Sequence, residues 1–236
     1  MIERPERALV SFAHPDDEIG CAGTISSWVK QGTSVCYVLC TNGNKGTEDP
    51  DMTPSRLAEV RSKEQQDAAA VLGVADLVML GYDDGELEDT REFRGKLVKE
   101  IRRFRPDVVL THAPITQLRH THRDHRICGS VTLDAVFPYA RDPWHFSEIT
   151  RDGYEPHKVK TVLLWGSDEP EIFVDIRDAI EQKVNAMLQH RSQFLDRPNR
   201  DPNRVPGDFI RDGARRMGER AGLDYAEGFK KLEFRT

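Results

Sequence analysis

The chain has 236 residues, 38% of them hydrophobic, which suits one sizeable core and a single α/β domain over residues 1–236. Its 34 basic and 40 acidic residues give a formal charge of −6, so no electrostatic case exists for a nucleic-acid partner. No apolar run approaches the roughly 18 residues that span a bilayer, and residues 1–7 lack the basic and apolar regions of a secretion signal, so a cytoplasmic protein is expected.

In chain order, Ala8 to Ala13 is an apolar run without a polar face, the pattern of a buried parallel strand. Glu18 to Lys30 has helical spacing and stops near Gly32. Val35 to Cys40 is a second strand, ending in the turn residues Thr41-Asn42-Gly43. Pro54 to Leu72 reads as a long helix with Gly73 beyond its end, and Leu77 to Leu80 as the third strand. A helix from Phe93 to Phe104, stopped by Arg105-Pro106, leads to a fourth strand, Val108 to His112, and a further helix through about Val136. Val159 to Trp165 is the fifth strand, followed by a helix from about Ile176 to Gln189. Residues 138–156 and 196–207 read as irregular, and loops of that length in a compact domain are more often functional than idle. The four cysteines are scattered and form no C-x-x-C pair, which removes a disulfide framework and a thiolate zinc site.

Strands alternating with helices predict a Rossmann-like α/β three-layer sandwich with a mostly parallel sheet. In the common strand order 3-2-1-4-5, strands one and four are neighbours whose connections leave toward opposite faces. A ligand crevice opens at their C-terminal ends. Two polar clusters fall there: His14-Pro15-Asp16-Asp17-Glu18 after strand one, and His120-Thr121-His122-Arg123-Asp124-His125 after strand four. Pro-Asp-Asp-Glu is also an ordinary way to begin a helix, because acidic side chains complement the helix dipole. That reading leaves His14 unexplained, since imidazole is a poor N-cap. It also leaves the meeting of two clusters at one crevice to chance.

Two histidines and a carboxylate around one point describe a catalytic zinc site with a fourth position kept for water. His14 and Asp17, three residues apart, supply two ligands and His125 the third. Asp16 is then adjacent and unligated, placed to take a proton from water. His122 can stabilise an oxyanion or protonate a leaving amine, as a cation or an N–H donor. Spacing leaves Asp124 either holding a histidine tautomer or ligating directly. The same donor set also describes an iron(II) oxygenase triad, although that usually rides on a jelly roll. A nucleotide-binding module on this sheet would need a glycine-rich turn after strand one, where this chain has His-Pro-Asp-Asp.

At these residues the chain resembles the N-acetylglucosaminyl-phosphatidylinositol de-N-acetylase family, the LmbE-like deacetylases. Ala13-His14-Pro15-Asp16-Asp17-Glu18 looks like the family signature, and His122-Arg123-Asp124-His125 like its H-x-D-H element. Thr41-Asn42-Gly43, Arg61-Ser62-Lys63-Glu64, His190-Arg191-Ser192-Gln193 and Ala226-Glu227-Gly228-Phe229 resemble further family stretches, so the match covers nearly the whole chain. The resemblance implies a single Zn2+ held by His14, Asp17 and His125, with Asp16 as general base and His122 near the oxyanion, assisted by Asp124. It suggests that Arg61 and the turn Asp83-Asp84-Gly85, Asp84 above all, help bind an N-acetylated sugar. It also allows a homo-oligomer. His120 stands where some relatives carry a tyrosine, and is assigned to the substrate side of the site. From the residues themselves, Arg61 and Glu64 read equally as a helix-surface ion pair and His190 as a helix-end residue. Tyr139, Trp144, Phe146 and Tyr154 read either as a sugar pocket or as loop anchors, while His112 and His145 receive no role.

Overall fold

The structure is a computed structural model and describes residues 3–116, 121–196 and 205–234. Its strands are β1 (Arg7–Phe12), β2 (Ser34–Thr41), β3 (Asp76–Tyr82), β4 (Val108–His112), β5 (Thr161–Trp165), β6 (Ile172–Asp175) and β7 (Ala226–Glu233). They form one sheet in the order β3-β2-β1-β4-β5-β7-β6. The first five are parallel in the expected order, and β7 runs antiparallel to both β5 and β6. An α/β sheet of this kind is not the jelly roll that an iron(II) oxygenase triad usually occupies.

The helices are α1 (Ala22–Lys30), α2 (Pro54–Leu72), α3 (Arg91–Phe104), α4 (Arg123–Asp134), α5 (Ser147–Arg151), α6 (Ile180–Met187), α7 (Arg191–Phe194) and α8 (Asp208–Glu219). Alternate residues of the strands serve two cores. Leu9, Cys36, Val38 and Val109 pack with Phe93, Leu97, Ile101, Cys128 and Val131 of α3 and α4. Val10, Phe12, Tyr37, Leu39 and Leu110 pack with Ile25, Trp28, Leu72 and Val184 of α1, α2 and α6. Helices on both faces explain why β1 and β4 are buried at nearly every position. They also put α1 and α4 on opposite faces, which opens the crevice between β1 and β4.

The helix expected from Glu18 starts later. Asp17–Gly20 is a 3-10 turn, and α1 begins after Cys21. Gly20 and Gly23 permit close packing here. A Cβ on Gly20 would lie 2.4 Å from Trp165, and one on Gly23 2.8 Å from Ile176. Residues 138–156, expected to be irregular, contain α5 and wrap around Arg102. Its buried guanidinium donates to the carbonyls of Tyr139, Ala140, Asp142, His145 and Phe146 and to the Thr150 hydroxyl. Phe146 is buried and Tyr139 meets it edge-on, so these two anchor the loop, whereas Trp144 is exposed. Residues 197–204, within the proline-rich stretch, lie outside the described residues. No helix among those described is long and apolar enough to cross a membrane.

Candidate metal centre

After β1 the chain turns through Asp16, whose φ of 99° and ψ of −14° are left-handed. A side chain with a Cβ rarely adopts that conformation, although Asp tolerates it better than most. Local bonds close the turn: the Asp17 carboxylate accepts the His14 backbone N–H at 2.7 Å, and the Asp17 N–H donates to the His14 carbonyl at 3.2 Å. On the neighbouring strand, β4 delivers His112 at its last residue, and α4 begins with His122 as its N-cap. His125 lies in the first turn of that helix, so the crevice places both clusters together.

His14 Nδ1 is 3.2 Å from Asp17 Oδ2 and 3.2 Å from His125 Nε2, and His125 Nε2 is 3.1 Å from Asp17 Oδ1. Ligands at the Zn–N and Zn–O distances of about 2.0–2.1 Å stand about 3.3 Å apart along a tetrahedral edge. The spacing of these donors fits such an ion. Three further groupings that could hold a metal overlap this one: His14 with His122 and His125; Asp17 with His112 and His125; and His14 with Asp84 and Asp124.

The charge balance also favours a cation. Burial alone lowers the pKa of His14, but hydrogen bonds to Asp124, Asp17 and Asp84 outweigh it and push the imidazole up to about 12. Asp17 is held well below the usual carboxylate range: burial opposes ionisation, and His112, His125 and His14 overcome it. His14 Nε2 faces Asp84 Oδ1 at 3.1 Å and Asp124 Oδ2 at 3.2 Å. Those carboxylates keep a proton on Nε2 and leave Nδ1 turned toward Asp17 and His125, the orientation of a carboxylate–histidine–metal arrangement. Asp124 is fully buried and also accepts the Gly85 N–H at 2.7 Å.

A family model described as GlcNAc-PI de-N-acetylase matches residues 9–136. The chain is 35% identical over 226 residues to the diacetylchitobiose deacetylase of Thermococcus kodakarensis, covering 95% of this chain and 82% of that one. This chain belongs to the GlcNAc-PI de-N-acetylase family. Its structure matches the inhibitor-bound N,N'-diacetylchitobiose deacetylase from Pyrococcus horikoshii with a TM-score of 0.88 at 34% identity, over 97% of this chain and 84% of that one. A probable N-acetyl-alpha-D-glucosaminyl L-malate deacetylase 2 of Bacillus anthracis is 27% identical over 82% of this chain and 84% of its own length. Like these relatives, the chain is an enzyme that deacetylates linear amides.

Several residues of this deacetylase sit differently from their sequence reading. The Asp124 carboxylate, which spacing leaves free to hold a histidine tautomer and the resemblance pairs with His122, is on His14 Nε2. What His122 receives is the Asp124 backbone N–H, accepted by Nδ1 at 3.1 Å. That bond puts the proton of a neutral imidazole on Nε2, and burial lowers the His122 pKa, with His14 contributing. Asp84, expected at the sugar, has its carboxylate on His14 Nε2. Arg61, only 3% exposed, is neither on the helix surface nor paired with Glu64. Its guanidinium donates to the Pro15 carbonyl at 2.5 Å, the Gly43 carbonyl at 2.9 Å and Asp16 Oδ2 at 3.2 Å. Glu64 accepts from the Ser192 N–H and hydroxyl, both at 2.7 Å. Burial pushes the Asp16 carboxyl up to about 7, with Arg61 pulling the other way. His120 lies outside the described residues.

Sequence reasoning missed His112. Its Nε2 is 3.3 Å from Asp17 Oδ2 and accepts the Ala13 N–H at 3.3 Å, while its ring stacks on His125 at 4.2 Å. Burial lowers its pKa. Its place as the last residue of β4 was the available signal, since that strand end opens onto the crevice. Beside the cluster, a cavity of ≈ 380 Å³ is bounded by Asp17, Gly20, His112, His122, His125 and Trp165. Larger hollows of ≈ 530 and ≈ 810 Å³ lie elsewhere and share none of these residues.

Proposed function

We propose that this chain is a zinc-dependent N-deacetylase that hydrolyses the acetamide of a small N-acetylglucosamine-containing molecule to acetate and a free amine. The observation that carries the reading is the mutual 3.1–3.2 Å spacing of His14 Nδ1, Asp17 and His125 Nε2 beside an open cavity. The 35% identity to a diacetylchitobiose deacetylase supports the choice of substrate class.

In this reading His14, Asp17 and His125 hold the ion. Zinc would supply Lewis acidity and a water acidified to a pKa of roughly 7. Asp16 takes a proton from the attacking water at its carboxylate as the new C–O bond forms, and returns it to the nitrogen as the C–N bond breaks. His122 presents Nε2–H to the carbonyl oxygen as that atom gains negative charge, because its Nδ1 is occupied by the Asp124 N–H. His122 thus serves as a neutral donor, and the alternative cationic role is set aside. Asp84 and Asp124 fix the ring and tautomer of His14.

The test is acetate release from a panel of N-acetylated sugars incubated with zinc-loaded protein. Asp16→Asn should keep zinc and lose roughly 10²–10⁴-fold in rate, the usual worth of acid–base catalysis. His125→Ala should lose the ion as well. Absence of acetate from every sugar, with zinc bound, would redirect the search to another amide.

A further inference from the structure

We infer that Glu18, Gln65 and His190 are positioning residues that, together with Arg61, clamp the Pro15–Asp16 peptide and hold Asp16 in its working conformation. The inference rests on Asp16 being the general base. It adds a second tier of residues, none of which faces the ligand donors.

The peptide unit between Pro15 and Asp16 is held at both ends. Its carbonyl accepts from Arg61 Nη2 at 2.5 Å. Its N–H is shared between Glu18 Oε2 at 3.1 Å and Gln65 Oε1 at 3.4 Å. Rotating that plane is the motion by which Asp16 would leave its left-handed conformation, so both clamps oppose relaxation toward commoner backbone regions. Arg61 and Gln65 are four residues apart on α2, hence on one face of the helix, and reach the two ends of the same peptide.

The clamp is itself braced. Glu18 Oε1 accepts from Gln65 Nε2 at 2.8 Å and from His190 Nε2 at 2.9 Å. Glu18, Gln65 and His190 are all fully buried. The two donors fix one corner of the Glu18 carboxylate and aim the other at the Asp16 N–H. His190 comes from the turn entering α7, so the C-terminal half of the chain reaches the base through one carboxylate. His190 Nδ1 has no partner among the described residues, which leaves Nε2–H···Glu18 as the hydrogen bond this ring makes there.

Two substitutions separate the clamp from its alternatives. Gln65→Met keeps the bulk and removes both hydrogen bonds. Glu18→Gln keeps the shape, but its amide can no longer accept at both corners. Amide hydrogen exchange of Asp16, read by NMR on the 15N-labelled zinc-loaded protein, should accelerate about tenfold or more in each, while amides within β1 are unchanged. Unchanged exchange at Asp16 overturns the clamp, whatever the activity does. With N,N'-diacetylchitobiose as probe, kcat should fall roughly 10- to 100-fold with KM and zinc content preserved. The double variant Asp16→Asn/Glu18→Gln should be no slower than Asp16→Asn alone, because Glu18 acts through Asp16. Losses that multiply, or that appear in KM, overturn the inference. If exchange accelerates while Asp16→Asn keeps wild-type turnover, the clamp stands and the assignment of Asp16 as base fails.

Discussion

Replacing Asp124 by asparagine removes a negative charge from behind His14 and can leave its hydrogen bonds in place. The carboxylate uses one oxygen for both partners, accepting the Gly85 N–H at 2.7 Å and facing His14 Nε2 at 3.2 Å. Its other oxygen, Oδ1, has no hydrogen-bond partner among the described residues and lies 3.5 Å from Arg123 Nη1. An asparagine can therefore keep its oxygen on Gly85 and His14, with its NH2 turned toward the Arg123 guanidinium that the carboxylate had faced. Partners behind a metal-ligating histidine typically contribute 10–100-fold to affinity. Asp84 Oδ1, at 3.1 Å from the same His14 nitrogen, remains to orient the ring. Asp124→Asn should accordingly weaken zinc binding about tenfold, or about 1.4 kcal/mol. Asp124→Ala, which abandons Gly85 too, should approach 100-fold, as should Asp84→Asn/Asp124→Asn. Competition against a chromogenic chelator at fixed pH measures these constants. A zinc affinity within twofold of wild type in Asp124→Ala would refute the role of this carboxylate behind His14.

Further expectations concern the frame around the site. Glu227 on β7 is buried, accepts the N–H groups of Gly23 and Thr24 at 2.9 and 2.7 Å, and pairs with Lys183 at 2.7 Å. Glu227→Gln leaves a buried ammonium without its counter-charge and should cost about 3–5 kcal/mol, a fall in Tm of roughly 6–20 °C. Lys183→Met in that background should restore part of the loss, and calorimetry of the single and double variants decides it. Gly20→Ala forces a methyl against Trp165, whose ring lies 4.7 Å from that of His112. Overpacking there should cost about 1–3 kcal/mol and lower kcat by displacing the ring stacked on His125. A Gly20→Ala enzyme with unchanged Tm and turnover would remove Trp165 and His112 from the supporting wall.

The five parallel strands and the meeting of the two polar clusters were legible because both depend on periodicity and topology. Apolar runs buried on both faces mark β1 and β4, and the strand order follows from alternation. The C-terminal strands were not legible: Ile172–Asp175 is four residues long, and Ala226–Glu233 mixes apolar and charged positions without alternating. Arg61 read equally as half of a surface ion pair or as a substrate ligand, because helix spacing does not reveal what covers a face. The glycines at 43 and 46 permit the cover, since a Cβ on either would come within 2.5 Å of the Arg61 guanidinium. Glu18 read as a helix-start acid, and its burial follows from long-range contacts to Gln65 and His190 that no local pattern encodes.

The loop wound around Arg102 has a bearing on how the enzyme meets a change of acidity. Within the described residues, that guanidinium is satisfied by peptide carbonyls and a threonine hydroxyl, groups that neither gain nor lose protons in water's ordinary range. Arginine itself stays charged throughout. The share of the anchoring of residues 139–150 that Arg102 supplies is therefore indifferent to the acidity of the medium, unlike a crevice built from imidazoles and carboxylates.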